Sequence, residues 1–248
     1  MKNRIAWIAA LAVAAFAQSS SGATPYGTPL LVEDFKDGFS QAWTTSASKI
    51  PYIFLEDPSI GSPNMRFTSL NGSSVLSLTS PLDTYGRYGL STVKTFGTRI
   101  RAEARVNSLD HSSGTNIEQF IELWLVNSVD ISRYAHIALH NGNCGASRYV
   151  TVASNVIPGT PHALNIDANW QDNQWYKLRI EDDPLYGVML SVWNDLGTQQ
   201  IASYQLGIPL SSLGASFNVG ISQFRLGRCG PSADPRAAVD YVSVMKVR

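Results

Sequence analysis

Short runs in which apolar and polar residues alternate cover most of the chain after residue 29, and Gly, Pro, Asn and Asp separate them. Because successive side chains of a strand point to opposite faces of a sheet, this pattern predicts β-strands. Hardly any stretch has the roughly 3.6-residue period of an amphipathic helix. We predict strands at 30–35, 50–55, 75–79, 89–95, 98–107, 117–126, 133–140, 149–154, 175–181, 188–194, 216–223 and 239–247. So many short strands favour an all-β sandwich of two packed antiparallel sheets.

The N-terminal segment has a different pattern. Lys2 and Arg4 precede an uncharged apolar run over residues 5–16, which ends among small residues. This arrangement is typical of a secretory signal peptide, here residues 1–17. The run is shorter than the roughly 20 residues that a membrane-spanning helix needs. We therefore expect a secreted protein, extracellular or periplasmic, without membrane insertion.

The remainder of the chain reads as one unit. Residues 18–28 begin with a stretch rich in Ser and Gly and are predicted to be a flexible lead-in, followed by one domain over residues 29–248. No repeat, linker or change of composition marks a second domain. The chain carries 19 basic and 19 acidic residues, and this balance argues against nucleic acid as a partner. The pattern carries no signal for an oligomeric state.

Two cysteines occur, Cys144 and Cys229, and each is followed by Gly in a Gly-rich segment. In an exported protein such a pair predicts one disulfide that joins two loops. A metal site would need more thiols, or histidines at ligand spacing.

Three of the predicted strands have one apolar face and one face of polar and aromatic residues. In the strand at 98–107, the polar face is a row of charges that contains Arg101 and Arg105. In the strands at 117–126 and 133–140, the corresponding face carries Glu118, Phe120, Glu122, Trp124, Tyr134, His136 and His140. A hairpin loop at 127–132 makes these two strands neighbours that share a face, and the arginine row is a further candidate for it.

The composition of this shared face suits a sugar ligand. The faces of a pyranose ring are apolar and its rim carries hydroxyls, so aromatic rings beside carboxylates and planar donors recognise it. The alternative is an ordinary solvated sheet face, for which we expect more Lys and Thr and fewer Trp and His. The sequence therefore favours a binding face for a polysaccharide or oligosaccharide.

Several motifs along the chain resemble strands of the concanavalin A-like lectin/glucanase superfamily. They are Leu-Val-Glu-Asp-Phe at 31–35 with Trp43, Phe-Gly-Thr-Arg-Ile-Arg-Ala-Glu-Ala-Arg at 96–105, Gln-Trp-Tyr-Lys-Leu-Arg-Ile-Glu at 174–181, Val-Met-Leu-Ser-Val-Trp at 188–193 and Val-Asp-Tyr-Val-Ser-Val at 239–244. The resemblance implies a jelly roll of two curved antiparallel sheets and a role with carbohydrates. It covers lectins, hydrolases, lyases and silent modules, so function depends on the site.

Glu118 and Glu122 are the candidate catalytic carboxylates. Retaining glycosidases hold two carboxyls about 5–5.5 Å apart and inverting ones about 6.5–9.5 Å, whereas Cα atoms four residues apart on a flat strand are about 13 Å apart. The resemblance implies a Glu-x-Asp-x-Glu catalytic strand, and Phe120 stands at its middle position. A second alignment places the catalytic positions near 128–132, where only Asp130 is acidic, and on that alignment the enzyme motif is absent.

A polysaccharide lyase is a competing interpretation. Arg-Ala-Glu-Ala-Arg at 101–105 resembles a strand of jelly-roll alginate lyases. In that reading Arg101 and Arg105 neutralise a uronate carboxylate, while His136 and Tyr134 act as base and acid. The chain lacks the Gln-Ile-His strand of that family.

The resemblance also implies a structural calcium ion that joins the first and last strands. Asp34, or its neighbour Glu33, and Asp240 occupy the matching places and offer the hard oxygen ligands that calcium prefers. No cofactor is expected for catalysis.

The leading hypothesis is an extracellular polysaccharide-degrading glycoside hydrolase with Glu118 and Glu122 as the carboxylate pair. Phe120, Trp124, Tyr134, His136, His140, Arg101 and Arg105 are the predicted substrate-binding residues. A non-catalytic carbohydrate-binding module comes second and a lyase third. A cell-surface interaction domain without a sugar ligand is a further class that the sequence leaves open.

Overall fold

In the computed structural model, the residues described are 26–37, 42–44, 65–79, 86–109, 117–142, 147–155, 163–228 and 236–247. The predicted signal peptide, the predicted strand at 50–55 and both cysteines lie outside these residues. No described helix is long and apolar enough to cross a membrane.

The described chain is built almost entirely from strands, as predicted. They are β1 (Tyr26–Glu33), β2 (Trp43–Thr44), β3 (Met65–Leu70), β4 (Ser73–Thr79), β5 (Gly86–Thr92), β6 (Ile100–Ser108), β7 (Ile117–Asn127), β8 (Tyr134–Gly142), β9 (Ser147–Ser154), β10 (Ala163–Asp167), β11 (Trp175–Asp183), β12 (Gly187–Asn194), β13 (Gln200–Gln205), β14 (Phe217–Arg228) and β15 (Arg236–Val247). A 3-10 turn, Leu210–Ser212, follows β13. β1 begins at Tyr26, within the predicted lead-in.

The strands form two antiparallel sheets. The eight-stranded sheet has the order β13-β12-β11-β6-β15-β4-β3, with β1 also paired to β15. The seven-stranded sheet has the order β10-β9-β8-β7-β14-β5-β2. Neighbours that are distant in sequence, such as β6 with β15 and β7 with β14, make the topology that of a jelly roll rather than a meander.

The strands that the pattern missed are β2, β3, β10 and β13, and each lies at an edge of its sheet. Edge strands bury few side chains, so their alternation of apolar and polar residues is weak. In β10, for example, Ile166 is half-buried and the other four residues are exposed. A central strand such as β11 alternates strictly between buried and half-buried residues, which is why the period of two revealed it.

The main core lies between the two sheets. Ala102, Ala104 and Val106 of β6 contribute to it from one sheet, and Leu123 and Leu125 of β7 from the other. The opposite side chains of β7 therefore point away from the core, to the outer face of the seven-stranded sheet. A second, smaller buried cluster lies on that outer face and contains Trp124, Val126, Tyr134 and Ala153.

The prediction that the arginine row shares a face with Glu122 is wrong. β6 lies between β11 and β15 in the eight-stranded sheet, whereas Glu122 is on β7 in the other sheet. Arg105 pairs there with Asp195 and Asp240 at 2.6 and 2.8 Å. Arg101 is also buried in this sheet. The row belongs to a self-neutralising network on the outside of the eight-stranded sheet.

Candidate functional site

β7 and β8 are neighbours joined by a hairpin, as the sequence predicts, and they share the expected face. Phe120 lies opposite His140, Trp124 opposite His136 and Val126 opposite Tyr134. On the other side of β7, strands β14 and β5 extend the same face. We call this surface the Glu122 face and define it by Arg87, Phe120, Glu122, Trp124, Tyr134, His136, His140, Tyr149, Thr151, Asn165, Ser222 and Phe224.

Glu122 lies at the centre of this face, and both oxygens of its carboxylate accept hydrogen bonds in a bidentate ion pair with Arg87. Arg87 Nε donates to Oε2 at 2.6 Å and Nη2 donates to Oε1 at 2.9 Å. Ser222 Oγ also donates to Oε2. The indole Nε1 of Trp124 is 3.4 Å from Oε2 and 3.1 Å from Ser222 Oγ. Parallel N–H···O bonds from one guanidinium are among the strongest side-chain contacts in proteins, so this carboxylate is fixed in place.

The same contacts determine the protonation state of Glu122. Burial raises the pKa of its carboxyl, but the positive charge of Arg87, together with the close contact of His136, more than offsets burial and holds the pKa at about 2. Burial lowers the pKa of His136, which favours a neutral imidazole. Glu122 is therefore ionised at neutral pH and paired with one cation.

His136 lies against Glu122 without completing a hydrogen bond to it. Its Nε2 atom is 3.3 Å from Oε1 of Glu122, but the geometry does not meet that of a hydrogen bond. We therefore treat the contact as electrostatic. The imidazole stacks on Trp124, with ring centroids 4.0 Å apart.

The remaining rings of the Glu122 face pack against one another. His140 stacks on Phe120 at 3.9 Å between centroids, and Tyr134 packs on Trp124 at 5.3 Å. The guanidinium of Arg87 lies over the rings of Trp124 and Phe224, at 4.8 and 4.5 Å from their centroids. The centre of the face is therefore a packed aromatic layer built around one ion pair.

Accessibility varies across the Glu122 face. Glu122 is 0% exposed and Arg87 is 6% exposed. Phe120 and Tyr149 are half-buried, and Asn165 on the edge strand β10 is exposed. His140 Nδ1 is 3.0 Å from Thr151 Oγ1, which donates to Asn165 Oδ1 at 2.6 Å. These hydrogen bonds connect the buried centre to an accessible edge of the face. We call this edge the rim and define it by Phe120, Tyr149 and Asn165.

Two other acidic residues predicted from the sequence are Glu118 and Asp130. Among the described side chains, no second carboxylate lies beside that of Glu122. Glu118 lies on β7 opposite Gly227, beside a bulge in β14, and its side chain lies outside the described part of the structure. Asp130, from the second alignment, accepts hydrogen bonds from Ser132 in the β7–β8 turn and pairs with Arg133 at 3.3 Å. Asp130 therefore stabilises the hairpin.

Sequence reasoning missed six residues of this face: Arg87, Tyr149, Thr151, Asn165, Ser222 and Phe224. The predicted strand at 89–95 began too late to include Arg87, although Arg87, Gly89 and Ser91 alternate with Tyr88 and Leu90 in the period expected of a strand. That alternation is the signal that could have found it. The lyase arrangement is not assembled on this face, since Arg101 and Arg105 lie in the other sheet.

The residues predicted to hold calcium do not fit a calcium site. β1 and β15 are indeed neighbours. However, Asp34 is paired with Lys36 at 2.7 Å and Asp240 with Arg105 at 2.8 Å. The carboxylate of Glu33 accepts hydrogen bonds from the Phe35 backbone and from the indole of Trp43. Within the described ranges, no group of three acidic or histidine side chains is placed to hold a metal ion.

Solved structures with the same fold include several glucanases. A β-glucanase from Bacillus licheniformis matches with a TM-score of 0.58 and 13% identity, over 90% of this chain and 99% of that one. An endo-1,3-β-glucanase from Streptomyces sioyaensis matches with a TM-score of 0.61 and 15% identity, over 89% and 96%. An immunostimulatory antigen and pseudo β-1,3-glucanase of Mycobacterium tuberculosis matches with a TM-score of 0.58 and 17% identity, over 90% and 100%.

No family model and no curated protein matches the chain. The structural matches show the fold: this chain is a jelly roll of two antiparallel sheets, as these solved glucanase structures are. At such low sequence identities a shared fold does not establish a shared function, so function has to be argued from the site.

Proposed function

We propose that this protein binds a polysaccharide without cleaving it, through the accessible rim of the Glu122 face. The observation that carries the proposal is that the carboxylate of Glu122 is buried and fully engaged by Arg87. Both of its carboxylate oxygens are bonded to Arg87, and the side chain is fully buried. A hydrolase of this fold needs carboxyl groups that reach the substrate, and this one is held inside the protein.

The charge of Glu122 also bears on the chemistry. A general acid must carry a proton near neutral pH, and a pKa of about 2 leaves Glu122 without one. Glu118 lies four residues along the same strand, where Cα atoms are about 13 Å apart, so an acid/base partner at 5–10 Å requires a marked local distortion. The charge of Glu122 and its spacing from Glu118 therefore favour binding over a two-carboxylate mechanism.

The rim has the groups that a sugar needs. Phe120 and Tyr149 offer half-buried rings for the apolar face of a pyranose, and the Asn165 amide offers a donor and an acceptor at the sheet edge. Thr151 and His140 hold this amide from behind. Solved structures of similar fold include a glycoside hydrolase family 16 endo-glucanase from Bacteroides ovatus bound to an oligosaccharide derivative, with a TM-score of 0.60 and 11% identity over 87% of this chain and 99% of that one. The pseudo β-1,3-glucanase has the same fold.

Affinity electrophoresis through gels that contain neutral β-glucans or uronate polymers, with a parallel assay for reducing sugar, tests the proposal. We expect retardation on at least one polymer, no release of sugar, and loss of retardation in Phe120→Ala and Tyr149→Ala. Val129→Ala, at an exposed position of the β7–β8 turn, is the control and should migrate like the wild type. Unhindered migration on every polymer, or retardation that both rim variants retain, would refute the rim as a binding site.

Hydrolysis is the second candidate, and the ionised state of Glu122 favours it, since a nucleophilic carboxylate must be deprotonated. The same assay distinguishes the two. Reducing sugar released by the wild type and abolished in both Glu122→Gln and Glu118→Gln would establish the carboxylate-pair mechanism. New absorbance from an unsaturated product would instead indicate a lyase.

A further inference from the structure

A cavity of about 420 Å³ opens on the part of the molecule that belongs to the eight-stranded sheet, away from the Glu122 face. Three segments line it: residues 98–99 before β6, residues 182–187 between β11 and β12, and residues 205–211 after β13. Its volume is within the range of about 300–1,000 Å³ that is usual for small-ligand sites. None of the roles discussed above involves these segments.

The walls of this cavity are fixed by hydrogen bonds. The buried carboxylate of Asp182 accepts from the Arg99 backbone N–H at 2.8 Å and from the Leu210 backbone N–H at 3.0 Å, so it joins all three segments. Val188 N donates to Ile208 O at 2.8 Å, and Leu206 N donates to Val188 O at 2.9 Å. A cavity with walls held in this way is formed before a ligand arrives, which lowers the entropic cost of binding.

The turn on one side of the cavity presents an aromatic ring. Asp183 Oδ1 accepts from the backbone N–H groups of Leu185 and Tyr186 at 2.8 and 2.9 Å, and Gln205 Nε2 donates to the Tyr186 carbonyl at 2.7 Å. The turn is rigid, yet Tyr186 is 57% exposed and Leu185 82%. Turn tips usually carry Gly, Asn, Asp or Ser, so two large apolar side chains on a rigid turn mark a contact surface.

The segment before β6 contributes an arginine, Arg99, to the lining of the cavity. Arg99 has a φ of 59°, a left-handed conformation that Gly or Asn adopts at lower cost. Asp182 and the Val247 N–H, which donates to the Arg99 carbonyl at 2.7 Å, hold the backbone there. The Arg99 side chain is exposed and makes no ion pair with any described residue. An arginine at a position that favours glycine therefore leaves five N–H donors available beside the cavity.

We propose that this cavity is a second carbohydrate-binding site, which takes one sugar residue of the polymer bound at the Glu122 face. The apolar face of the sugar packs on Tyr186, and its hydroxyls accept from Arg99 and exchange hydrogen bonds with Thr98 and Ser211 at the walls. Asp183 lines the same cavity, and its negative charge favours an uncharged sugar over a uronate. Two sites on separate surfaces of one chain raise the apparent affinity for a polymer through avidity. The inference rests on the proposed binding function for the choice of ligand.

Isothermal titration with the short oligosaccharides of a polymer that retards the wild type tests this site. Tyr186→Ala removes the ring, and Arg99→Gly removes the guanidinium while relieving the left-handed backbone, so neither variant should unfold. Leu196→Ala, at a 79% exposed position in the β12–β13 turn, is the matched control. We expect two sugar sites per chain in the wild type and the control, one in each cavity variant, and at least a tenfold loss of apparent affinity for the polymer.

The outcomes separate this inference from the proposed function. One site per chain that Phe120→Ala abolishes and Tyr186→Ala leaves intact would overturn the cavity site alone. One site that Tyr186→Ala abolishes and Phe120→Ala leaves intact would confirm the cavity and overturn the rim. A wild-type protein that binds no glycan would overturn both.

Discussion

Arg87 on β5 and Glu122 on β7 form a bidentate ion pair across the intervening strand β14, at 2.6 and 2.9 Å, and both side chains are buried. Removing two charges from water is costly, so such a pair persists only when each partner satisfies the other. The pair fixes two opposite charges, which offset each other, at the centre of a largely aromatic surface. It also ties a carboxylate that resembles a catalytic one to a structural role.

Breaking this pair from one side should destabilise the fold strongly. Arg87→Met leaves Glu122 buried without its cation, and we expect a loss of about 3–5 kcal/mol in the free energy of unfolding. The double variant Arg87→Met with Glu122→Leu removes both charges and should be close to the wild type. Urea denaturation measures each value, and the exposed Arg133→Met, which breaks the pair with Asp130, should cost no more than about 1 kcal/mol. A double variant as unstable as the single one would contradict this account.

The ion pair also predicts how stability depends on pH. The folded pKa of Glu122, about 2, lies below its ordinary value of 4.5, so its stabilising contribution is present above pH 4.5 and is lost as the pH falls toward 2. The shift corresponds to about 3 kcal/mol. Glu122→Gln should therefore be less stable at pH 7 and should lose less stability on acidification between pH 5 and 2. Parallel acid-induced unfolding curves for the two proteins would rule this out. Asp130→Asn, at an exposed residue, is the control.

On the eight-stranded sheet, Tyr241 supports a buried carboxylate. Its hydroxyl donates to Glu103 Oε1 at 2.6 Å, and Arg179 holds Oε2 at 2.6 Å. Burial raises the pKa of Glu103, but Arg179 and Tyr241 more than offset it, so its pKa is lowered and it is ionised. Tyr241→Phe removes one donor and should cost about 2 kcal/mol in thermal or chemical denaturation. Tyr186→Phe, at an exposed tyrosine, should stay within about 0.5 kcal/mol, and equal effects in both would refute the role of Tyr241.

Gly89 allows β5 to pack beside β14. A Cβ atom there would overlap the Ile221 carbonyl oxygen and would lie 2.5 Å from Ser222 Cβ, the residue that donates to Glu122. Gly89→Ala should therefore cost about 3 kcal/mol by overpacking. Gly97→Ala is the matched control, because its nearest neighbour would be Ala215 O at 4.0 Å. If the melting temperatures of the two variants coincide, the close approach at Gly89 has no energetic weight.

Calcium should leave the stability of this protein unchanged. Asp34 and Asp240 are each paired with a cation, which a metal ion would have to displace. We expect the same melting temperature with added calcium and with a chelator. A rise of several degrees with calcium would show that ligand binding stabilises the folded state and would restore the site that the sequence predicted.

Local pattern was sufficient for much of the fold. The alternation along 117–126 and 133–140 placed Phe120, Glu122, Trp124, Tyr134, His136 and His140 on one face, and the structure confirms that grouping. It succeeded because the side-chain period of a strand is a local property and because these strands are central, with one face packed on the core. It failed at the sheet edges, where β10 and β13 bury little and alternate weakly.

Only the tertiary structure decided which strands that are distant along the chain are neighbours, and with that the chemistry of the site. Arg87 and Glu122 are 35 residues apart, and Ser222 is 100 residues beyond Glu122. Strand order depends on the packing of the whole chain, so no local period reports that these side chains meet or that Arg101 and Arg105 lie in the opposite sheet. The sequence alone determined an alternating chain with an aromatic and acidic face. Long-range pairing placed its central carboxylate in a buried ion pair with Arg87.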